Sequence, residues 1–334
     1  MNFWEAQRRA KSKTSFYMFM FVLLTVLVGV LTEWAIRTFA PEDYHPDFPF
    51  FGLFFLLITF SVAGFQYSMF KLHGGSYVAE SVGAWRIEND TTHPKERQLL
   101  NIVEEIALAA SLPIPPVYIL DAKPINAFAA GVTSENSAIT ITSGALYSLK
   151  RDEIQGVIAH EFGHIYNGDM KISMRLAAMV MGFFFVLYIG MRLLSISGNT
   201  RVRDDNGRGG NPIAIAAIVL LLAGAFTWLF GSILKASVSR EREYLADACA
   251  VQFTRNPDGI SNALRKIMNE QESIMPERGV AYSHLYLDNH SGMSALFATH
   301  PPLIKRIEAI EGRTYIPEEW KKDLDKPSPI SGAN

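Results

Sequence analysis

Two histidines four positions apart, with a glutamate beside the first, lie in the stretch GVIAHEFGH: His160, Glu161 and His164. On a helix, positions i and i+4 share one face about 6 Å apart, so both imidazoles can reach a single ion. Glu161 is turned about 100° from His160 by the helical pitch and can flank such an ion without binding it. Zinc held there lowers the pKa of a bound water towards about 7, and Glu161 can take that water's proton and later pass it to a leaving amine. H-E-x-x-H on a helix therefore reads as hydrolysis of peptide bonds, against the alternative of two surface histidines on an amphipathic helix.

A catalytic zinc needs three protein ligands and a position for water. The metzincin pattern would put Gly and His where Asn167 and Met170 stand, so that class is excluded. The remaining common choice is a carboxylate from a separate helix. SREREYLAD offers Glu241, Glu243 and Asp247. Glu243 and Asp247 share a face and Glu241 points elsewhere, but spacing does not decide which of the two touches the metal.

The elements that must position these groups follow from where charge is missing. Thr14 to Thr32, Phe48 to Phe70, Leu176 to Met191 and Ile213 to Leu234 hold almost none. Each approaches the roughly 20 apolar residues that cross a bilayer, the third being short and bounded by Arg175 and Arg192. The first run has a basic flank like a signal peptide, but it is long and lacks a small-residue cleavage site, so it reads as a retained anchor. Arg8, Arg9, Lys11 and Lys13 before it, and acids in PEDYHPDF after it, put the N-terminus in the cytoplasm. The loop SISGNTRVRDDNGRGGNP fits this orientation poorly, because it carries Arg201, Arg203 and Arg208; the third and fourth runs are either full spans or a shielded hairpin. Two crossings, or none, separate the histidines from Glu243, so the ligands can meet on one side of the membrane.

Between the runs the composition is that of a globular protein. ERQLLNIVEEIALAAS has helical periodicity, PPVYILD and AITIT read as strands flanking NAFAAG, and a helix spans Leu149 to about Met170. SVSREREYLADACAVQFTR is helical up to Pro257, and further helices run from Asp258 to about Glu272 and within PPLIKRIEAIE. The domain reading is a membrane anchor over 1–75, a first protease half over 76–175, a hydrophobic hairpin over 176–235, a second half over 236–324 and a disordered tail over 325–334. A net charge of −2 gives no polybasic signature, so nucleic acid is not an expected partner. The single cysteine, Cys249, excludes an intrachain disulfide and a cysteine metal cluster, and reads as a small buried side chain.

Taken together, NAFAAG, GVIAHEFGH, the hydrophobic pair, SREREYLADA and THPPLIKRIEAI make nearly the whole chain similar to the HtpX-type membrane zinc metalloproteases, relatives of the CAAX prenyl endopeptidases. The resemblance implies one Zn2+ per chain on His160, His164 and Glu243, with Glu161 as general base. It implies an integral, mainly α fold: a gluzincin-like helical domain with a small β-sheet, two N-terminal transmembrane helices and a further hydrophobic helical pair. It also implies quality control of misfolded or damaged membrane proteins in a bacterial inner membrane, with the site facing the cytoplasm; cleavage of prenylated proteins is the alternative within the same chemistry. Asp247 then sits behind the ligands, or pairs on the helix surface with Arg240 or Arg242. NAFAAG, with Asn126, is an edge strand to which substrate backbone can add, or an ordinary strand and turn. His300 either donates to an oxyanion or simply starts a helix before Pro301 and Pro302.

Other functions fare worse. An intramembrane protease would bury H-E-x-x-H in an apolar span, whereas Asp152, Glu153, Asp169 and Lys171 surround it here. A catalytically inactive chaperone or scaffold with structural zinc would need a fourth ligand, and none presents itself. A transporter would place ionisable groups inside its spans, and the four runs contain none.

Overall fold

The computed structural model describes residues 3–39, 47–197, 212–269 and 301–312. Among the described residues, four helices are long and apolar enough to cross a bilayer: α1 (Phe3–Phe39), α2 (Phe50–Ser81), α6 (Asp169–Ser197) and α7 (Pro212–Thr254). Helices suit these runs because every backbone N–H and C=O is satisfied within the segment. They pack as a closed ring, α1 on α2, α2 on α6, α6 on α7 and α7 on α1. Glycines set the close approaches. A Cβ on Gly190 or Gly224 would lie within 3 Å of the facing backbone at Leu221 or Leu187. At the α1–α2 corner, Glu33 accepts from the Phe51 and Gly52 amides at 2.9 and 3.1 Å, closing the otherwise open start of α2. Arg37 holds the same carboxylate from the other side.

The water-exposed part is built on a four-stranded sheet of β1 (Trp85–Arg86), β2 (Val117–Leu120), β3 (Ala127–Ala130) and β4 (Ala138–Thr142), in the order β1-β2-β4-β3. β2 and β4 are parallel, and β3 joins β4 antiparallel as an outer strand. Alternation sorts the side chains into two layers. Val117, Ile119, Ala127, Ala129, Ile139 and Ile141 pack on α3 (Pro94–Ala110) and α5 (Arg151–Asn167). Tyr118, Leu120, Phe128 and Ala130 face Phe70, Val78 and Ala79 of α2 and Met174 and Ala177 of α6. The sheet is thus the seam between helices α3 and α5 on one side and the apolar helices α2 and α6 on the other, and β2, β3 and β4 are buried on both faces.

One core unites distant parts of the chain: Ile158 of α5, Ile260 and Leu264 of α8 (Pro257–Asn269) and Ile307 of α9 (Leu303–Glu311) lie in a single cluster. α2 reaches this body through a kink at Gly74, whose φ of +64° and ψ of −153° only glycine adopts easily. The next residue, Gly75, donates to Asn136 O in the β3–β4 turn at 2.8 Å.

Several boundaries differ from the sequence expectation. The helix expected over Leu149–Met170 ends at Asn167, where Gly168 turns left-handed with φ +69°, and α6 begins at once. The short third run is part of a 29-residue helix. The fourth run and SVSREREYLADACAVQFTR form one 43-residue helix, because nothing between them breaks it. α8 runs to Asn269; residues 270–272, most of the 195–211 loop and the 325–334 tail lie outside the described residues. β1, the short α4 (Ser143–Ser148) and the Gly74 kink carry no strong sequence signal.

Candidate metal centre

Helix α5 starts with Lys150 N donating to Glu153 Oε2 at 2.6 Å, and Asp152 and Glu153 occupy its positive first turn. Its two glycines decide what it packs against. A Cβ on Gly156 would meet Ile260 N at 2.5 Å, and one on Gly163 would meet Ala246 Cα at 2.9 Å. Gly163, inside the H-E-x-x-H stretch, therefore lets α7 come close enough for Glu243, less than one turn before Ala246, to reach the histidines.

His160, His164 and Glu243 each bring one ligand atom into a group whose members all lie within 4.8 Å of one another. His160 Nε2 is 3.6 Å from Glu243 Oε2, and His164 Nε2 is 3.5 Å from Glu243 Oε1. Two ligands at about 2.05 Å on a tetrahedral zinc stand about 3.4 Å apart, so these separations suit such an ion. His160 Nε2 is buried and makes no hydrogen bond among the described residues. Both Nδ1 atoms point the other way, to Asp247 Oδ1 at 2.9 Å and to Asp169 Oδ2 at 3.1 Å. An imidazole whose Nδ1–H is given to a carboxylate offers its Nε2 lone pair to a metal. The residues present fit a divalent ion with two nitrogen and one carboxylate ligand.

Behind the two aspartates stand two arginines. Arg306 of α9 is fully buried, donates to both oxygens of Asp247 at 2.7 and 2.9 Å, and lies 3.3 Å from Glu243 Oε2. Arg242 of α7 donates to Asp169 Oδ1. Burial alone would raise Asp247, but the Arg306 guanidinium and His160 outweigh it and hold the carboxyl down at about 2. Burial likewise opposes charge on the histidines, yet Asp247 and Glu243 raise His160, and Asp169 and Glu243 raise His164 well above the ordinary range. For Glu161, burial pushes the carboxyl up; the two imidazoles and the Ala129 N–H, which donates to it, pull down without cancelling the effect.

Glu161 is buried beside the ligand group and touches β3 through Ala129. β3 is the NAFAAG strand and, among the described residues, has only β4 as a strand neighbour. Asn126, at its start, accepts from Thr142 N through its carbonyl and donates its amide to Thr142 Oγ1, while its side chain caps the Ala127 N–H. It ties β3 to β4. Asp247 is bound to His160 and Arg306 rather than lying on the helix surface with Arg240 or Arg242. Cys249 is buried, as its type suggested. His300 lies outside the described residues.

Asp169, Arg242 and Arg306 were not anticipated. Asp169 reads in the sequence as a mark of water exposure, and its contact with His164 depends on the turn at Gly168. Arg306 stands 59 residues from Asp247, a pairing that no local spacing announces.

The sequence profile of peptidase family M48 matches residues 93–314, which include every residue of this centre. A protein named Protease HtpX homolog from Streptococcus uberis is 33% identical over 304 residues, 90% of this chain and 96% of the relative. One of the same name from Ligilactobacillus salivarius is 34% identical over 305 residues, with the same shares. A third, from Streptococcus equi subsp. equi, is 39% identical over 217 residues, 63% of this chain and 71% of the relative. Among solved structures, that of S. mikatae Ste24p covers 93% of this chain and 66% of its own, at 17% identity and a TM-score of 0.44. With its four apolar helices and its H-E-x-x-H centre, the chain belongs to peptidase family M48 and is an HtpX-like membrane metalloendopeptidase.

Proposed function

We propose that the metal is zinc, one ion per chain, held by His160 Nε2, His164 Nε2 and the Glu243 carboxylate. The observation that carries this reading is the convergence of those three groups within 4.8 Å, with both Nδ1 atoms turned away onto aspartates. Zinc supplies Lewis acidity, polarising a substrate carbonyl and making water a better nucleophile near neutral pH. Glu161 accepts the proton of the attacking water and returns it to the leaving amine nitrogen, a task suited to a carboxyl that burial has raised. Asp247 fixes the tautomer and ring of His160. The outer edge of β3 receives the substrate backbone as an added strand, next to Glu161.

The substrates in this reading are misfolded or damaged membrane proteins and unfolded polypeptides. The enzyme lies in a bacterial inner membrane with its centre facing the cytoplasm, as the basic N-terminal flank supports. The anchor (1–75), the two protease halves (76–175 and 236–324) and the hairpin between them (176–235) act as one unit, and the core joining Ile158 to Ile260 and Ile307 supports this. Metal analysis of the purified protein tests the ligand set. The wild type is expected to carry one zinc, and Glu243→Ala is expected to lose it; a Glu243→Ala variant that is folded and equally loaded would overturn the assignment.

A further inference from the structure

Two buried aspartates contact the two histidines, Asp247 on His160 and Asp169 on His164. We infer that Asp169, held by Arg242, is the positioning residue that orients His164, so that membrane helices α6 and α7 jointly build one corner of the metal centre. This rests on His164 being a ligand, as proposed above.

Had α5 continued as a helix, the residue five past His164 would lie roughly 140° around the axis, facing away from it. The left-handed turn at Gly168 brings Asp169 back, as the first residue of α6. Its carboxylate is buried and its two oxygens are divided: Oδ2 meets His164 Nδ1 at 3.1 Å, and Oδ1 accepts from Arg242 Nη1. Arg242 directly precedes Glu243, so one turn of α7 delivers both a ligand and the clamp on the carboxylate behind another ligand.

The arrangement repeats, with different residues, the Arg306–Asp247–His160 chain on the other imidazole. The two differ in what else holds the ring. The side chain of His160 is 1% exposed and locked by packing, whereas that of His164 is 18% exposed and leans more on its carboxylate. An ion pair serving only to join α6 to α7 would not require Asp169 to aim its second oxygen at the nitrogen opposite the one facing Glu243.

The test uses the full-length protein in detergent, with zinc affinity read by competition against a chromophoric chelator and ligand geometry read from the visible spectrum of the Co2+-loaded form. Asp169→Ala is expected to weaken zinc binding about 10- to 100-fold and to alter the Co2+ spectrum. Asp169→Asn, which keeps the size and one acceptor oxygen, is expected to show a smaller shift in the same direction. Unchanged affinity and an unchanged spectrum in either variant, even with a lower unfolding temperature, would overturn the inference and leave a merely structural ion pair. If Asp169→Ala does not fold, Asp169→Asn decides by the same two readouts. A wild type that binds no zinc, or a Glu243→Ala variant that binds it normally, would instead refute the ligand set itself.

Discussion

Replacing Arg306 by methionine keeps most of the side chain's length and removes only the guanidinium that faces Asp247. Asp247 is fully enclosed, and its carboxyl stands at about 2 against an ordinary 3.8. That difference corresponds to about 2 kcal/mol in favour of the ionised form, at 1.36 kcal/mol per pKa unit. Without Arg306, the burial that raises Asp247 is opposed chiefly by His160. Breaking a buried pair from one side costs about 3–5 kcal/mol, because the partner charge is left uncompensated. For a chain of 334 residues that is a fall of about 4–7 °C in unfolding temperature.

A double-mutant cycle on metal-free protein in detergent isolates the pair: Arg306→Met, Asp247→Asn and both together, followed by denaturation. The double variant is expected to be less damaged than the sum of the singles by about 2 kcal/mol or more. Additive effects would refute the claim that Arg306 acts through Asp247. The pH dependence gives a second check. A depressed carboxyl contributes stability that is present above pH 3.8 and lost as pH falls towards about 2. Arg306→Met should flatten that acid limb.

Further outcomes follow from the same contacts. In metal-free protein the carboxylates raise both histidines above 6.5, so their protonation stabilises the fold fully below pH 6.5, and that contribution is lost as pH rises through the raised values. Zinc must displace these protons: its affinity should rise with pH, and calorimetry in buffers of different ionisation enthalpy should detect proton release, whereas pH-independent binding would contradict the assignment. Gly75→Ala would put a Cβ 2.2 Å from Ala130 O and 2.5 Å from Ala138 N, at the end of β3. It should cost about 1–3 kcal/mol and lower activity with it; an unfolding temperature equal to wild type would show that the α2–sheet contact is looser than described.

What could be read beforehand divides along physical lines. The spacing of His160, Glu161 and His164 is local to one helix, so the 3.6-residue period was enough to place them together. The apolar runs were equally plain, because a bilayer-crossing helix must exclude charge, but their ends were not. Lys171 and Arg175 lie inside α6, with Arg175 resting against the Tyr67 ring and hydroxyl. The choice between Glu243 and Asp247 could not be made from a shared helix face. In the ligand set proposed above it turns on depth along that face: Glu243 meets the Nε2 atoms, and Asp247, one turn on, meets an Nδ1. Asp169, Arg242 and Arg306 were illegible because each contact is made by a turn or by long-range packing rather than by spacing.

The most direct test compares zinc-loaded wild type with zinc-loaded Glu161→Gln, in detergent, for cleavage of an unfolded test protein and for self-cleavage. Glu161 flanks the ligands without belonging to them, so the variant is expected to keep its zinc and lose activity by about a hundredfold or more, while a chelator silences the wild type. Cleavage by the zinc-bound variant at the wild-type rate would contradict the assignment of Glu161 as the base.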